Sequence, residues 1–311
     1  MNETMNNSLH ETPSETSETI YLLSSELAEI AAQAAQSVAG YLRAAARTAP
    51  DYSLKSSKHD PVTAHDRHVE QSLQTFLGAA IPGSRILGEE EGEKVLNPNS
   101  QSGDAKAVGS LGERVRWIVD PIDGTANFAA GLTYFGSSIG VELDGRIVAG
   151  AVSVPCSHEI FVADSREAWH VDAEGNKTFL HATGADSEAT ALLSCYYPKP
   201  YFWEKHPEIA MRHEIALQEA YFVHRTLGAG AVDLAMVAAG WVGATVGMSF
   251  KPWDVAAGIH LVRVAGGSVL NLDYHTDLPD GLRPVVVAAG RGFTPETAQQ
   301  VIREALAAER A

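Results

Sequence analysis

The chain has 311 residues, 45% of them apolar, and a formal net charge of −16. That length suits one large domain or two ordinary ones, and the acidity argues against non-specific binding to nucleic acid or an anionic membrane, both of which need a positive footprint. There is no apolar run as long as a membrane span, no basic-then-apolar leader, and only Cys156 and Cys195 as thiols, in no metal-binding spacing; the expectation is a cytoplasmic protein with two buried free thiols.

Residues 1–19 are rich in Ser, Thr, Glu and Asn and predict a disordered tail. Over residues 20–49, Leu23, Leu27, Ile30, Ala34, Val38 and Leu42 recur at helical spacing, and Pro50 is read as the stop. A polar stretch from Leu54 leads to a helix predicted over residues 66–80, with Val69, Leu73, Phe76 and Leu77 on one face. Asp66 falls near its start, where the helix dipole favours a carboxylate; taken alone, it reads as an N-cap. Residues 84–92 predict a short strand entering an acidic turn. Glu90 and Glu91 read as solvated charge there, whereas Glu89 follows the apolar strand directly. Residues 93–112 show little periodicity and are expected to form an exposed loop.

The stretch Trp117-Ile118-Val119-Asp120-Pro121-Ile122-Asp123-Gly124-Thr125 is the most informative. An apolar strand is halted by Pro121, which has no N–H to donate, and ends on two carboxylates, a glycine and a hydroxyl. A short helical turn over residues 126–130 follows. Strands over 136–141 and 146–154 are joined at Asp144-Gly145, and 159–163 and 168–171 continue an antiparallel pattern. From Thr183 onward strands (191–195, 221–226, 242–248, 285–288) alternate with helices (204–220, 231–239, 252–265 and one opening at Thr294-Pro295-Glu296). The predicted organisation is therefore a tail over 1–19, an α+β half over 20–182 and an α/β half over 183–311.

Asp66, Glu89, Asp120, Asp123 and Asp254 all stand at element ends, the last in the first turn of a helix opened by Pro252. Each alone is an ordinary terminal acid. Together they describe an all-oxygen site without His or Cys, which suits Mg²⁺ or Mn²⁺ rather than Zn²⁺ or Cu²⁺. Gly124 and Thr125 add backbone amides for a phosphate and a hydroxyl beside the attacking water. The combined chemistry is metal-assisted phosphoester hydrolysis.

On these residues the chain resembles the inositol monophosphatase family, the lithium-sensitive metal-dependent phosphatases. Asp120-Pro121-Ile122-Asp123-Gly124-Thr125 matches that family's first signature, and Trp253-Asp254-Val255-Ala256-Ala257-Gly258 followed by Ala265-Gly266-Gly267 matches its second. Gly88-Glu89-Glu90 and Val62-Thr63-Ala64-His65-Asp66 match its two remaining acidic motifs, in the right order from about Ile20 to the C-terminus. The resemblance implies a layered α-β-α-β-α sandwich, commonly a homodimer, that uses two or three Mg²⁺ ions, with Mn²⁺ as a substitute. One ion is assigned to Glu89, Asp120 and the Ile122 carbonyl, a second to Asp120, Asp123 and Asp254, and a third to the neighbourhood of Glu89. Asp66 and Thr125, with Glu89, are implied to activate the attacking water. The Gly124 and Thr125 amides cradle the phosphate, beside Asp123 and Asp254, and Lys55 screens its charge.

Two positions depart from the family pattern. Gly247 stands where inositol-preferring members carry a glutamate that contacts a sugar hydroxyl, and losing that acceptor weakens polyol recognition. Val264 replaces an acid usual before Ala-Gly-Gly. The expected activity is hydrolysis of a small polyol or sugar phosphate, inositol 1-phosphate-like, by metal-activated water. Histidinol phosphate, fructose 1,6-bisphosphate and 3′-phosphoadenosine 5′-phosphate are the alternatives. The competing class is a non-catalytic regulatory protein on the same scaffold. His65, His68, Trp253 and the aromatic run Tyr196-Tyr197 with Tyr201-Phe202-Trp203 read as structural, with a substrate wall as the minority reading of the aromatic run.

Overall fold

A computed structural model describes residues 17–47, 52–54, 61–97, 111–274 and 276–310 of the chain. The first half runs α1 (Ser17–Ala45), β1 (Tyr52–Leu54), β2 (Pro61–Thr63), α2 (Ala64–Ala80), β3 (Arg85–Gly88), β4 (Gly92–Val95), α3 (Leu111–Arg114), β5 (Val115–Asp123), α4 (Thr125–Ala129), β6 (Gly136–Leu143), β7 (Arg146–Val154), β8 (Glu159–Ala163), β9 (Ala168–Val171) and β10 (Lys177–Phe179). Then follow β11 (Leu192–Cys195), α5 (Pro200–Lys205), α6 (Pro207–Ala220), β12 (Val223–Arg225), α7 (Gly230–Ala239), β13 (Ala244–Gly247), α8 (Pro252–Val264), β14 (Ser268–Leu272), β15 (Val285–Ala289) and α9 (Glu296–Arg310).

Among the described residues the strands form a β1–β2 hairpin and two larger sheets. The first sheet has the order β10-β9-β8-β7-β6-β5-β3-β4 and is antiparallel except where β3 runs parallel to β5. The second has the order β12-β11-β13-β15-β14, parallel on one side of β13 and antiparallel on the other. Helices α1 and α2 cover one face of the first sheet, burying Leu27, Ala31, Val38, Leu42, Val69, Leu73 and Leu77. Helices α7 and α8 lie between the sheets, while α6 and α9 close the far face of the second. The result is an α-β-α-β-α sandwich, built because each sheet buries both faces.

Several boundaries differ from expectation for local reasons. α1 starts at Ser17, so the last three residues of the expected tail are helical; Glu18 favours the helix start and pairs with Arg166 at 2.7 Å. Residues 1–16 lie outside the described set. α1 also ends at Ala45, short of Pro50. Within the expected loop over 93–112, residues 93–95 belong to edge strand β4, whose Glu93 meets Arg85 and Arg116, and residues 98–110 lie outside the described set. The helix expected over 204–220 is two helices, because Pro207 opens a new one and excludes His206 from helical geometry. β14 has no counterpart among the predicted elements; it is held by its ladder with β15. Cys156 is half-buried rather than buried, and both cysteines are free thiols. No described helix is long and apolar enough to cross a membrane.

Close approach of α8 to the first sheet depends on two glycines. A Cβ on Gly140 would lie 2.6 Å from Ala256 Cβ, and one on Gly150 would lie 2.8 Å from Ala257 Cα. Gly140→Ala is therefore expected to destabilise the fold by about 1–3 kcal/mol through overpacking and to lower Tm by several degrees. Gly40→Ala, on the exposed side of α1 with only Arg43 near, should leave Tm unchanged or raise it. Thermal denaturation of both variants checks this, and an unshifted Gly140→Ala would refute the packing account.

Candidate metal and phosphate site

The site begins with a strand register. β3 and β5 run parallel with Gly88 opposite Val119, so the next residues, Glu89 just past β3 and Asp120 within β5, come side by side where that ladder ends. The turn carrying Glu89 is held from beneath by Glu70 of α2, a buried carboxylate. Its oxygens accept the backbone N–H of Glu90 at 2.8 Å and of Glu91 at 3.1 Å. Gly88 leaves room for it, since a Cβ there would lie 2.3 Å from Glu70 Oε1. Glu90 is thus half-buried, contrary to its reading as solvated charge, while exposed Glu91 pairs with Lys94 and accepts from Gln74 at 3.1 Å.

β5 breaks register with β6 between Asp120 and Asp123, where Pro121 has no N–H for the ladder. Asp120 Oδ1 accepts the Ile122 N–H at 3.0 Å. Asp123 Oδ2 accepts the Val232 N–H at 2.9 Å, at the first turn of α7. Asp254 Oδ2 accepts the Lys251 N–H at 2.8 Å, at the start of α8. Gly124 has φ of 87°, and a Cβ there would lie 3.0 Å from Ala229 Cβ, so both conformation and space call for glycine. Thr125 opens α4, and its hydroxyl reaches Asp66 Oδ1 at 3.1 Å and the Ile122 carbonyl at 2.9 Å.

Glu89, Asp120, Ile122, Asp123, Gly124, Thr125 and Asp254 line one cleft of about 190 Å³, together with Tyr196, Lys199, Ser249 and Phe250. Asp66 is fully buried behind Thr125 and meets the cleft through that hydroxyl. Lys55 lies outside the described residues. Asp120 and Asp123 are only 3% and 4% exposed. Burial holds both carboxyls well above the usual range; the charges of Glu89, Asp123, Asp254 and Asp66 push Asp120 further, and Asp254 does the same to Asp123.

Among the described residues no Lys or Arg forms an ion pair with Asp120 or Asp123, and no three acidic, His or Cys side chains already close around one point as a ready cage. Buried carboxylates of this kind call for a cation. The donor set fits a hard one: among the described residues carboxylates and Ile122 line the cleft, with no His or Cys.

Three residues near the site carried no functional reading from sequence: Glu70, Lys199 and Asp233. Asp233 is buried in α7 and accepts the hydroxyls of Tyr134 and Tyr196, each at 2.5 Å, and of Ser194. Burial lifts its pKa to about 6. The sequence signal for it is a lone acid inside the apolar run Ala231-Val232-Asp233-Leu234-Ala235. The aromatic run divides: Tyr197 and Phe202 pack in the core of the second sheet, while Tyr196 faces the cleft.

A sequence model of the inositol monophosphatase family matches residues 23–310. An inositol-1-monophosphatase of Mycobacterium bovis is 34% identical over 242 residues, 78% of each chain. A Nus factor SuhB of Pasteurella multocida is 31% identical over 240 residues, covering 77% of this chain and 81% of that one. Among solved structures, the extragenic suppressor protein SuhB of Bartonella henselae superposes with a TM-score of 0.67 at 26% identity, covering 89% of this chain and 97% of that chain.

The raised carboxyl of Asp120 carries a stability consequence. In metal-free protein its contribution is most favourable below the unfolded carboxylate range, near pH 4, and is lost as pH rises through the higher folded value. A divalent cation relieves that loss. Mg²⁺ at saturating concentration is expected to raise Tm by several degrees at pH 8 and by less at pH 5. Asp120→Asn should raise Tm in EDTA at pH 8 and blunt the Mg²⁺ response. A Tm insensitive to Mg²⁺ at both pH values would count against a cation site.

Proposed function

The chain belongs to the inositol monophosphatase family, and on that premise we propose that it is a Mg²⁺-dependent hydrolase of a small-molecule phosphate monoester, a polyol or sugar phosphate. The observation that carries the reading is the contact of the Thr125 hydroxyl with buried Asp66 at the edge of a four-carboxylate cleft. Glu89, Asp120 and the Ile122 carbonyl would hold one Mg²⁺, Asp120, Asp123 and Asp254 a second, and Glu89 a third, with Mn²⁺ able to substitute. Such ions supply positive charge that acidifies water and offsets charge on the phosphate and leaving oxygens.

The chain's own groups do the rest. Thr125 has one proton and two acceptors in reach, Asp66 Oδ1 and Ile122 O. Donation to Asp66 leaves the Ile122 carbonyl available as a ligand and turns a Thr125 lone pair toward an attacking water. The water proton passes to Thr125 Oγ1 as the threonine proton passes to Asp66. The water oxygen attacks phosphorus, the P–O ester bond breaks, the alkoxide takes up a proton from solvent water, and Asp66 gives its extra proton back to solvent to close the cycle. The Gly124 and Thr125 amides hold the phosphate, and Glu89 helps position the water. Inositol 1-phosphate, histidinol phosphate, fructose 1,6-bisphosphate and 3′-phosphoadenosine 5′-phosphate all remain within this class. The proposal extends to a cytoplasmic homodimer: free thiols suit a reducing compartment, and exposed Met211 and Ile215 lie one turn apart on α6.

A second reading rests on the relatives named Nus factor SuhB, from Pasteurella multocida and Haemophilus influenzae. On it the chain serves as a transcription-associated binding protein without turnover. A net charge of −16 gives little support to direct nucleic-acid contact, and the complete set of carboxylates with Thr125 favours catalysis.

With Mg²⁺ the protein is expected to release phosphate from at least one member of a panel of polyol, sugar and nucleotide monophosphates, with EDTA abolishing turnover and Mg²⁺ restoring it. Thr125→Val and Asp66→Asn should each lower kcat by about 10²–10⁴, the usual worth of general acid–base catalysis, with KM little changed. A panel with no metal-dependent turnover would transfer the case to the non-catalytic reading.

A further inference from the structure

The cleft lining falls into two chemical sets. One is the carboxylates with Gly124 and Thr125; the other is Tyr196, Lys199, Ser249 and Phe250. On the hydrolase reading the first set holds the metal ions and phosphate, which leaves the second for the leaving alcohol.

That second set offers few partners to a neutral polyol. At Gly247 the space a side chain would occupy is filled: a Cβ there would lie 2.6 Å from Phe250 Cε2 and 3.1 Å from Tyr196 Cβ. The two rings pack against each other in a T-shaped arrangement at 5.3 Å. Tyr196 turns its ring to the cleft but not its hydroxyl, which donates to Asp233 at 2.5 Å and accepts the Gly228 N–H at 3.0 Å. Apart from the exposed Ser249 hydroxyl, an apolar surface thus stands where a carboxylate acceptor would be needed.

Lys199 breaks that wall. It is half-buried, and among the described residues it is the one cationic side chain lining the cleft. Its ammonium lies 5.6 Å from the centre of the Tyr196 ring, and no hydrogen bond or ion pair to a described residue engages it. Desolvation pulls the Lys199 pKa down; of the cleft's carboxylates it is Asp254 whose field opposes this. Lys199 also lines an adjoining hollow of about 410 Å³ that holds Trp203, Glu214 and His224, so space continues past it. A half-buried ammonium with three donors and no acceptor among the described residues gains most from an anion brought by the ligand.

We propose that Lys199 binds a second anionic group, a carboxylate or a phosphate, carried on the leaving alcohol, and that the preferred substrates are phosphate monoesters of acidic rather than neutral alcohols. This rests on the hydrolase reading. It adds the residue that selects among substrates of that reaction.

The test compares kcat/KM with Mg²⁺ for two matched pairs, 3-phosphoglycerate against glycerol 3-phosphate and fructose 1,6-bisphosphate against fructose 6-phosphate. The wild type is expected to prefer at least one acidic member by about tenfold or more, the worth of a charge-assisted hydrogen bond. Which pair shows the preference tells a carboxylate from a phosphate. Lys199→Met should cut kcat/KM for that acidic member about tenfold more than for its neutral partner, chiefly through KM, and Lys199→Arg should recover most of the loss. Equal losses on both members would assign Lys199 to the transferred phosphate or to the fold and overturn the proposal. So would a wild type without preference in either pair. Failure of the wild type to hydrolyse any of the four esters, while Mg²⁺ releases phosphate from others in the wider panel, also overturns it. Failure across the whole panel removes the hydrolase reading itself.

Discussion

Asp120 and Asp123 are carboxylates that the fold buries among other carboxylates, and much of the surrounding structure answers to that constraint. Like charges in a dry place repel strongly unless each is held by donors. The donors here are backbone amides at element ends: Ile122 for Asp120, Val232 at the start of α7 for Asp123, and Lys251 before α8 for Asp254. Each bond takes an oxygen from one edge of its carboxylate and aims the rest of the group at the cleft. Using backbone rather than Lys or Arg has a chemical logic, because a side-chain cation would neutralise the cluster and leave nothing for a metal ion to do.

The same constraint explains why two layers of helix lie where they do. α7 and α8 sit between the sheets with their first turns at the cleft, so their dipoles meet Asp123 and Asp254. α8 reaches that position only because Gly140 and Gly150 let it lie against β6 and β7. On the other side, Glu70 uses α2 to pin the turn after β3, and Gly88 makes room for it. The first carboxylate to leave the first sheet is thus placed by a second carboxylate that never reaches the cleft.

What the sequence revealed and what it hid follow from range. Asp120, Asp123 and Asp254 announce themselves because a strand stop or a Pro-led helix start lies within a few residues of each. Helix α1 and the β6–β7 hairpin were legible from period and turn chemistry for the same reason. Edge strand β4 was not, because it holds its place through a ladder with β3 and ion pairs to Arg85 and Arg116, none of which leaves a periodic trace. Glu70 was invisible because its partners lie 20 and 21 residues away. Asp233, whose partners Tyr134, Ser194 and Tyr196 come from two distant segments, left only a local oddity, an acid in an apolar helix. Lys199 left nothing at all, since a lysine beside two prolines reads as loop.

Gly247 shows how the two kinds of information combine. In the sequence it is a missing acceptor, a loss with no stated replacement. In the structure it is a glycine required by its neighbour, since Phe250 occupies the volume a side chain would need and Tyr196 closes the gap. The two aromatics and the glycine therefore form one unit, and restoring a glutamate there would clash with Phe250 before it met a ligand. Tyr196 is in turn fixed by Asp233, which sits one residue beyond the amide that holds Asp123. One turn of α7 thereby anchors both the Asp123 carboxylate and, through Asp233, the Tyr196 ring, so a single helix start fixes two parts of the cleft lining.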